Sequence, residues 1–167
     1  MTSPINAFGQ IREIAGKRHE SRTNILFEIV NKNQAHIIFN RPSRMNAFSF
    51  EMYETFTEYI EKANEMEEIK YIVIKGAGND FSSGNDLSNF VDPEIQAIEN
   101  KYGLVKAMSR SLEDLGTKIV RSRKPIFSLV QGKVIGFAFT QLALYDKVFA
   151  VKGSYFMAPL VKIAQGP

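Results

Sequence analysis

The chain of 167 residues suits one domain and is long enough to bury most of the surface that its unfolded form exposes. With 44% hydrophobic and 23% charged residues, disorder is not the default, and a net charge of +3 without a basic run interleaved with aromatics disfavours nucleic acid relative to a phosphate-bearing, nucleotide-like ligand. The absence of cysteine excludes a disulfide frame, a thiolate nucleophile and a cysteine metal site, and His19 and His36 leave little for a metal cluster or a Ser-His pair.

Residues 1–22 form a polar, basic arm in which Arg12, Lys17, Arg18 and Arg22 stand against Glu13 and Glu20. Those two glutamates count against a mitochondrial targeting segment, since such peptides are poor in acids. Residues 23–167 read as the core domain, because no long linker, repeat or low-complexity segment divides them. No apolar run reaches membrane-spanning length. Ile25–Val30 and Ala35–Asn40 alternate or run apolar around Asn31-Lys32-Asn33-Gln34, which predicts a β-hairpin. His36 falls in this strand pattern as a surface or packing residue. Arg41-Pro42 ends the second strand, since proline cannot continue a ladder. Arg41–Ala47 is then a loop, and Ser49 is placed to cap the helix that follows. Met52, Phe56, Tyr59, Ala63 and Met66 recur along that helix as a core-facing stripe. Ile69–Lys75 is the next strand, which gives the order β-β-α-β.

A glycine turn follows: Asp80-Phe81-Ser82-Ser83-Gly84-Asn85-Asp86-Leu87. Asp92-Pro93 opens a helical region in which Val105, Met108, Leu112, Leu115 and Ile119 step by three and four, with Gly103 as a point where it divides. Lys124-Pro125 closes it, and Ile126–Val130 is a strand. A second glycine turn, Gln131-Gly132-Lys133-Val134-Ile135-Gly136-Phe137, leads into a helix over Phe137–Leu144. Lys147–Val151 and Tyr155–Met157 complete the strands. Each glycine turn sits at the end of an apolar strand, where backbone N–H groups face a ligand without a Cβ in the way. Two such turns together can build an oxyanion hole with two donors. Asp86 and Asp146 read as structural residues bonded to nearby backbone N–H groups, not as acids.

Several segments in order resemble the crotonase (enoyl-CoA hydratase/isomerase) superfamily. They are Asn40–Ala47, Phe81–Phe90, Lys124–Gly136, Leu144–Asp146 and Tyr155–Pro167, and the wording from Ser82 to Phe90 is closest to the peroxisomal-type Δ3,Δ2-enoyl-CoA isomerases. The resemblance implies an α/β fold of β-β-α turns wound into a spiral, here truncated before the C-terminal helices. It also implies an acyl-CoA thioester as substrate or ligand, with no metal and no other cofactor, and chemistry through a thioester enolate. By position the oxyanion donors would be the backbone N–H groups of Asn85 and Phe137, the latter at a helix start that favours an anion. Arg44, Ala47, Ser83, Gly84, Asn85, Asp86, Leu87 and Gly136 would line the substrate site, with Arg44 either on a CoA phosphate or a solvated surface residue. The Phe137 side chain would narrow the acyl pocket.

The same resemblance places the first glutamate of the hydratases at Thr140, which cannot titrate as a base, so hydration is disfavoured. The single glutamate of the isomerases would follow Gln165-Gly166-Pro167, where the sequence ends. Two readings stand: an active isomerase of which this is a piece, or a non-catalytic binding or structural subunit of a larger assembly. Uncovered apolar surface, protein partners or self-association, and a mitochondrial or peroxisomal location are expected of either.

Overall fold

The computed structural model describes residues 24–87 and 104–159, with the backbone alone for 104–110. Strands β1 (Ile25–Val30) and β2 (Gln34–Phe39) form the expected hairpin, in the register Ile25↔Phe39 to Val30↔Gln34. Asn31 and Lys32 both take positive φ, at 49° and 62°, the geometry whose twist matches that of the flanking strands. Helix α1 (Phe50–Glu65) then crosses back to β3 (Tyr71–Gly76), which lies parallel to β2. After α2 (Leu104–Val120) the chain enters β4 (Ile126–Val130), parallel to β3. The short β5 (Lys133–Ile135), α3 (Phe137–Thr140) and a 3-10 turn at Gln141–Leu144 lead to β6 (Lys147–Ala150) and β7 (Tyr155–Met157). Among the described residues these strands make a five-stranded sheet, β1-β2-β3-β4-β6, and a separate parallel pair, β5-β7.

The two sheets express a spiral. Each strand of the large sheet from β2 onward is followed by a short extended segment that pairs with the equivalent segment of the next turn. Phe48 bridges Asn85, Ser82 bridges Val134, and β5 pairs with β7, all in parallel. The backbone bonds of this second ladder include Phe48 N–H to Gly84 O at 2.8 Å, Ser82 N–H to Lys133 O at 3.2 Å and Ile135 N–H to Ser82 O at 3.0 Å. The core lies between α1 and the large sheet. Phe39 sits at its centre, edge-on to Phe48 (4.8 Å), Phe56 (5.3 Å) and Phe81 (5.4 Å), and all four rings are fully buried. Each such ring contributes about 1.5–3 kcal/mol by leaving water.

Some local expectations need amendment. Ser49 does occupy the N-cap position of α1, but its hydroxyl donates to the Glu51 carboxylate at 2.5 Å instead of capping a backbone N–H. Gln34 belongs to β2 and not to the turn, and the second glycine turn contains a strand, β5. The helix over Phe137–Leu144 is four α residues followed by a 3-10 turn. Of the stripe on α1, Met52, Phe56 and Ala63 are buried, while Tyr59 and Met66 are partly buried against the core. In α2, Leu115 and Ile119 reach the core. Asp146 accepts the Ile126 N–H at 2.8 Å, the structural role expected of it. Val148, Phe149 and Val151, on and beside β6, are exposed. The N-terminal arm, Asp92-Pro93, Gly103 and Gln165-Gly166-Pro167 lie outside the described residues.

Candidate functional site

The register of the second ladder decides which groups meet. Ser82 pairs with Val134, and Gly84 packs against the Ile135–Phe137 backbone, which sets the turn carrying Asn85 beside the one carrying Phe137. Adjacent strands run about 4.8 Å apart. Neither the Asn85 nor the Phe137 amide has an acceptor among the described residues, although the amides around them do: Gly84 N–H reaches Ser82 Oγ (3.1 Å), Asp86 N–H reaches Phe48 O (2.9 Å) and Gly136 N–H reaches Met157 O (2.8 Å). Both residues line one cleft of about 500 Å³. The α3 helix behind Phe137 has only four residues. Its macrodipole is correspondingly small, so the local N–H carries the electrostatics there instead of the helix field expected from sequence.

Most of the residues singled out from sequence come together in this cleft. Arg44, Ala47, Ser83, Asn85, Asp86, Leu87, Gly136 and Phe137 all line it. Gly84 does not, and its part is close approach: with φ at +83° it presses against the Ile135–Phe137 backbone. Ala47 is buried, whereas Leu87 is 62% exposed at the rim. Arg44 ends the 3-10 turn Pro42–Arg44 at the mouth and is exposed. Ser83 N–H donates to Met45 O at 2.9 Å, which ties the first loop to the glycine turn.

Three supporting residues carried no role in the sequence reading. Arg41 Nη1 donates both to Ala47 O (2.5 Å) and to Asp86 Oδ2 (3.0 Å), so Asp86 holds a guanidinium in addition to any backbone contact. Fully buried Asn46, at φ 53°, donates through Nδ2 to the carbonyls of Ala77 (2.9 Å), Asp80 (2.8 Å) and Phe81 (3.2 Å). Its Oδ1 accepts the Arg41 N–H at 2.8 Å. An asparagine in a loop that must take positive φ was the available signal. The third is Tyr53 of α1, whose hydroxyl donates to Asn85 Oδ1. Burial pushes this phenol far above its ordinary range, so it stays a donor at any working pH. Tyr53 could not be read from sequence, because its partner is 32 residues away.

A β-β-α spiral whose two glycine turns meet at a cleft defines a protein of the crotonase fold. Residues 30–166 match the enoyl-CoA hydratase/isomerase family, and the chain belongs to that family. It is 34% identical over 133 residues to the peroxisomal enoyl-CoA delta isomerase 3 of Mus musculus, covering 78% of this chain and 40% of that protein. Similarity to enoyl-CoA delta isomerase 2 of Rattus norvegicus is 32% over 133 residues, covering 78% of this chain and 32% of that protein. Among solved structures, an enoyl-CoA hydratase/isomerase family protein from Hyphomonas neptunium superposes with a TM-score of 0.78 at 27% identity, over 89% of this chain and 55% of that one. The chain thus spans well under half the length of these two curated relatives.

Proposed function

We propose that this chain binds an acyl-CoA thioester and receives its enolate oxygen between the Asn85 and Phe137 amides, in chemistry of the Δ3,Δ2-enoyl-CoA isomerase type. The observation that carries the reading is the pair of amides on adjoining turns, both without an acceptor among the described residues and both belonging to residues that line one cleft. An oxygen gaining charge as a proton leaves the adjacent carbon would accept both N–H groups, and each such donor typically lowers the barrier by about 2.7–4 kcal/mol. The exposed Arg44 guanidinium at the mouth suits a CoA phosphate. The names of the isomerase relatives support the reaction type, and those that are peroxisomal support a peroxisomal or mitochondrial location.

Proton transfer needs a base as well as an oxyanion hole. Asp86 is the one carboxylate among the described residues that line the cleft, and Arg41 holds it. Thr140 cannot serve. With no free base among the described residues that line the cleft, binding of acyl-CoA without turnover is the outcome this reading expects of residues 1–167. The exposed apolar residues near β6 suit cover by other protein subunits. Titration calorimetry with an acyl-CoA, run beside a coupled assay with a 3-enoyl-CoA, tests both parts. Binding without turnover is the expected result. Turnover would refute the missing base, and no binding would leave a structural subunit built on the fold.

A further inference from the structure

The Phe137 side chain stands between two spaces. Among the described residues it alone lines both the cleft and a second cavity, of about 200 Å³, between α2 and the Phe137–Leu144 segment. Leu112, Leu115, Ile119 and Leu144 give that cavity a mainly apolar wall. The ring is fixed: its centroid lies 5.5 Å from that of Phe48 and 5.2 Å from that of Tyr53, edge-on to both. Those two rings are themselves buried, and the Tyr53 hydroxyl is tied to Asn85. Turning the Phe137 ring aside would forfeit both aromatic contacts. Gly116 adds a second observation. It sits inside α2, where glycine is disfavoured, and a Cβ there would meet only Leu144 Cδ1, at 3.8 Å. The space behind the ring is thus left open by a residue that the helix itself does not favour.

We propose that the Phe137 ring is a fixed partition that seals the cleft from this apolar cavity and confines the site to short acyl groups. The inference rests on the acyl-thioester reading above. An acyl chain longer than the cleft has two routes: displacing the ring from its aromatic neighbours, or trailing into water. The first forfeits the aromatic contacts, and the second gains nothing, because a methylene that stays in water contributes no burial.

The test is a calorimetric series with acetyl-, butanoyl-, hexanoyl- and decanoyl-CoA on the native chain, Gly116→Leu, Phe137→Ala and the double variant. In the native chain affinity should stop rising once the cleft is full, so that decanoyl-CoA binds no more tightly than hexanoyl-CoA. Gly116→Leu should leave that profile unchanged, because it fills a space the ligand does not enter. Phe137→Ala should make decanoyl-CoA bind about tenfold or more tightly by opening the apolar cavity to it, and adding Gly116→Leu should remove the gain. An affinity that rises with every added methylene up to decanoyl-CoA in the native chain would overturn the partition and leave the thioester reading standing. So would a loss of decanoyl-CoA binding in Gly116→Leu alone, since the cavity would then already be in use. An unmoved profile in a folded Phe137→Ala variant would overturn it too. If that variant does not fold, the native and Gly116→Leu series decide the matter. Failure of the native chain to bind any member would overturn the thioester reading itself.

Discussion

A methyl group on Gly84 would stand 2.5 Å from the carbonyl oxygen of Ile135 and 3.2 Å from the Phe137 amide nitrogen. The two glycine turns therefore touch through bare backbone, and the spacing of the two unpaired amides depends on that contact. Gly84→Ala should push the turns apart and force alanine into φ +83°, at a conformational cost of about 1–2 kcal/mol. Acyl-CoA affinity should fall about tenfold or more, out of proportion to the loss seen in urea unfolding. Native affinity in this variant would show that the amide spacing does not matter to the ligand.

Arg41 joins the loop before α1 to the glycine turn by bonding Ala47 O and Asp86 Oδ2 with one nitrogen. Both side chains are largely buried, at 13% and 11% exposure. Arg41→Lys keeps the charge but not the planar fork, and it should cost about 1–2 kcal/mol. A double-mutant cycle with Asp86→Asn should return a coupling of about 1 kcal/mol or more, against the few tenths of an exposed pair. Denaturant unfolding of the four proteins measures it.

The hairpin, α1, β3 and β4 were legible from apolar stripes and runs that the core buries: Met52, Phe56 and Ala63 recur on α1, and Ile72, Val73 and Ile74 run unbroken on β3, both of whose faces are covered. Strand β6 was legible from its apolar run although its residues are exposed. The two glycine turns were legible from their small and polar residues. What was not legible is held by partners far apart in the chain. Strand β5 is three residues long and carries one buried side chain, Val134, so no period could show; it exists because Tyr155–Met157 pairs with it. Tyr53 carried no mark in the sequence, because the Asn85 side chain that its hydroxyl meets lies 32 residues on. Asn46 and Arg41 looked like loop residues because their acceptors are carbonyls, which leave no mark on composition.

His36 gives the hairpin a pH dependence. It pairs across the sheet with Glu28, and its Nε2 donates to Gln34 Oε1 at 3.1 Å, while the buried Nδ1 has no partner among the described residues. Burial first, and then the Lys75 charge, lower its pKa, with Glu28 opposing. The folded chain therefore binds this proton less readily than the unfolded chain does. Stability should be fully present above the unfolded value of about 6.5 and decline as pH falls through it. His36→Gln should flatten this part of the curve in urea melts between about pH 7.5 and 5.5. An unchanged slope would show that burial of the imidazole does not control it.

Gly116 is a glycine without a positive φ, and a Cβ added there makes only an ordinary contact with Leu144. Nothing in the fold requires its conformational freedom. Gly116→Ala should stabilise the chain by about 0.5–1 kcal/mol through helix propensity and a less mobile unfolded state. Thermal melts of the two proteins check the sign. A destabilised variant would mean that α2 packs closer to the 3-10 turn than the 3.8 Å approach indicates.

Asn46 is where the loops are most exposed to a single change. Its amide donates to three carbonyls that have been taken out of water, and its own oxygen accepts the Arg41 N–H. Asn46→Ala removes these bonds and leaves alanine at φ 53°, for a loss of about 2–4 kcal/mol. Asn46→Asp is nearly the same size and can still accept from Arg41, but an ionised carboxylate would face the three carbonyl oxygens without a proton to give. The aspartate variant should therefore be the less stable of the two at neutral pH and recover part of the difference as the carboxyl is protonated in acid. Urea unfolding of both variants at pH 7 and pH 5 separates donor loss from cavity formation. If aspartate is tolerated as well as asparagine at pH 7, the three carbonyls are satisfied by something other than this side chain.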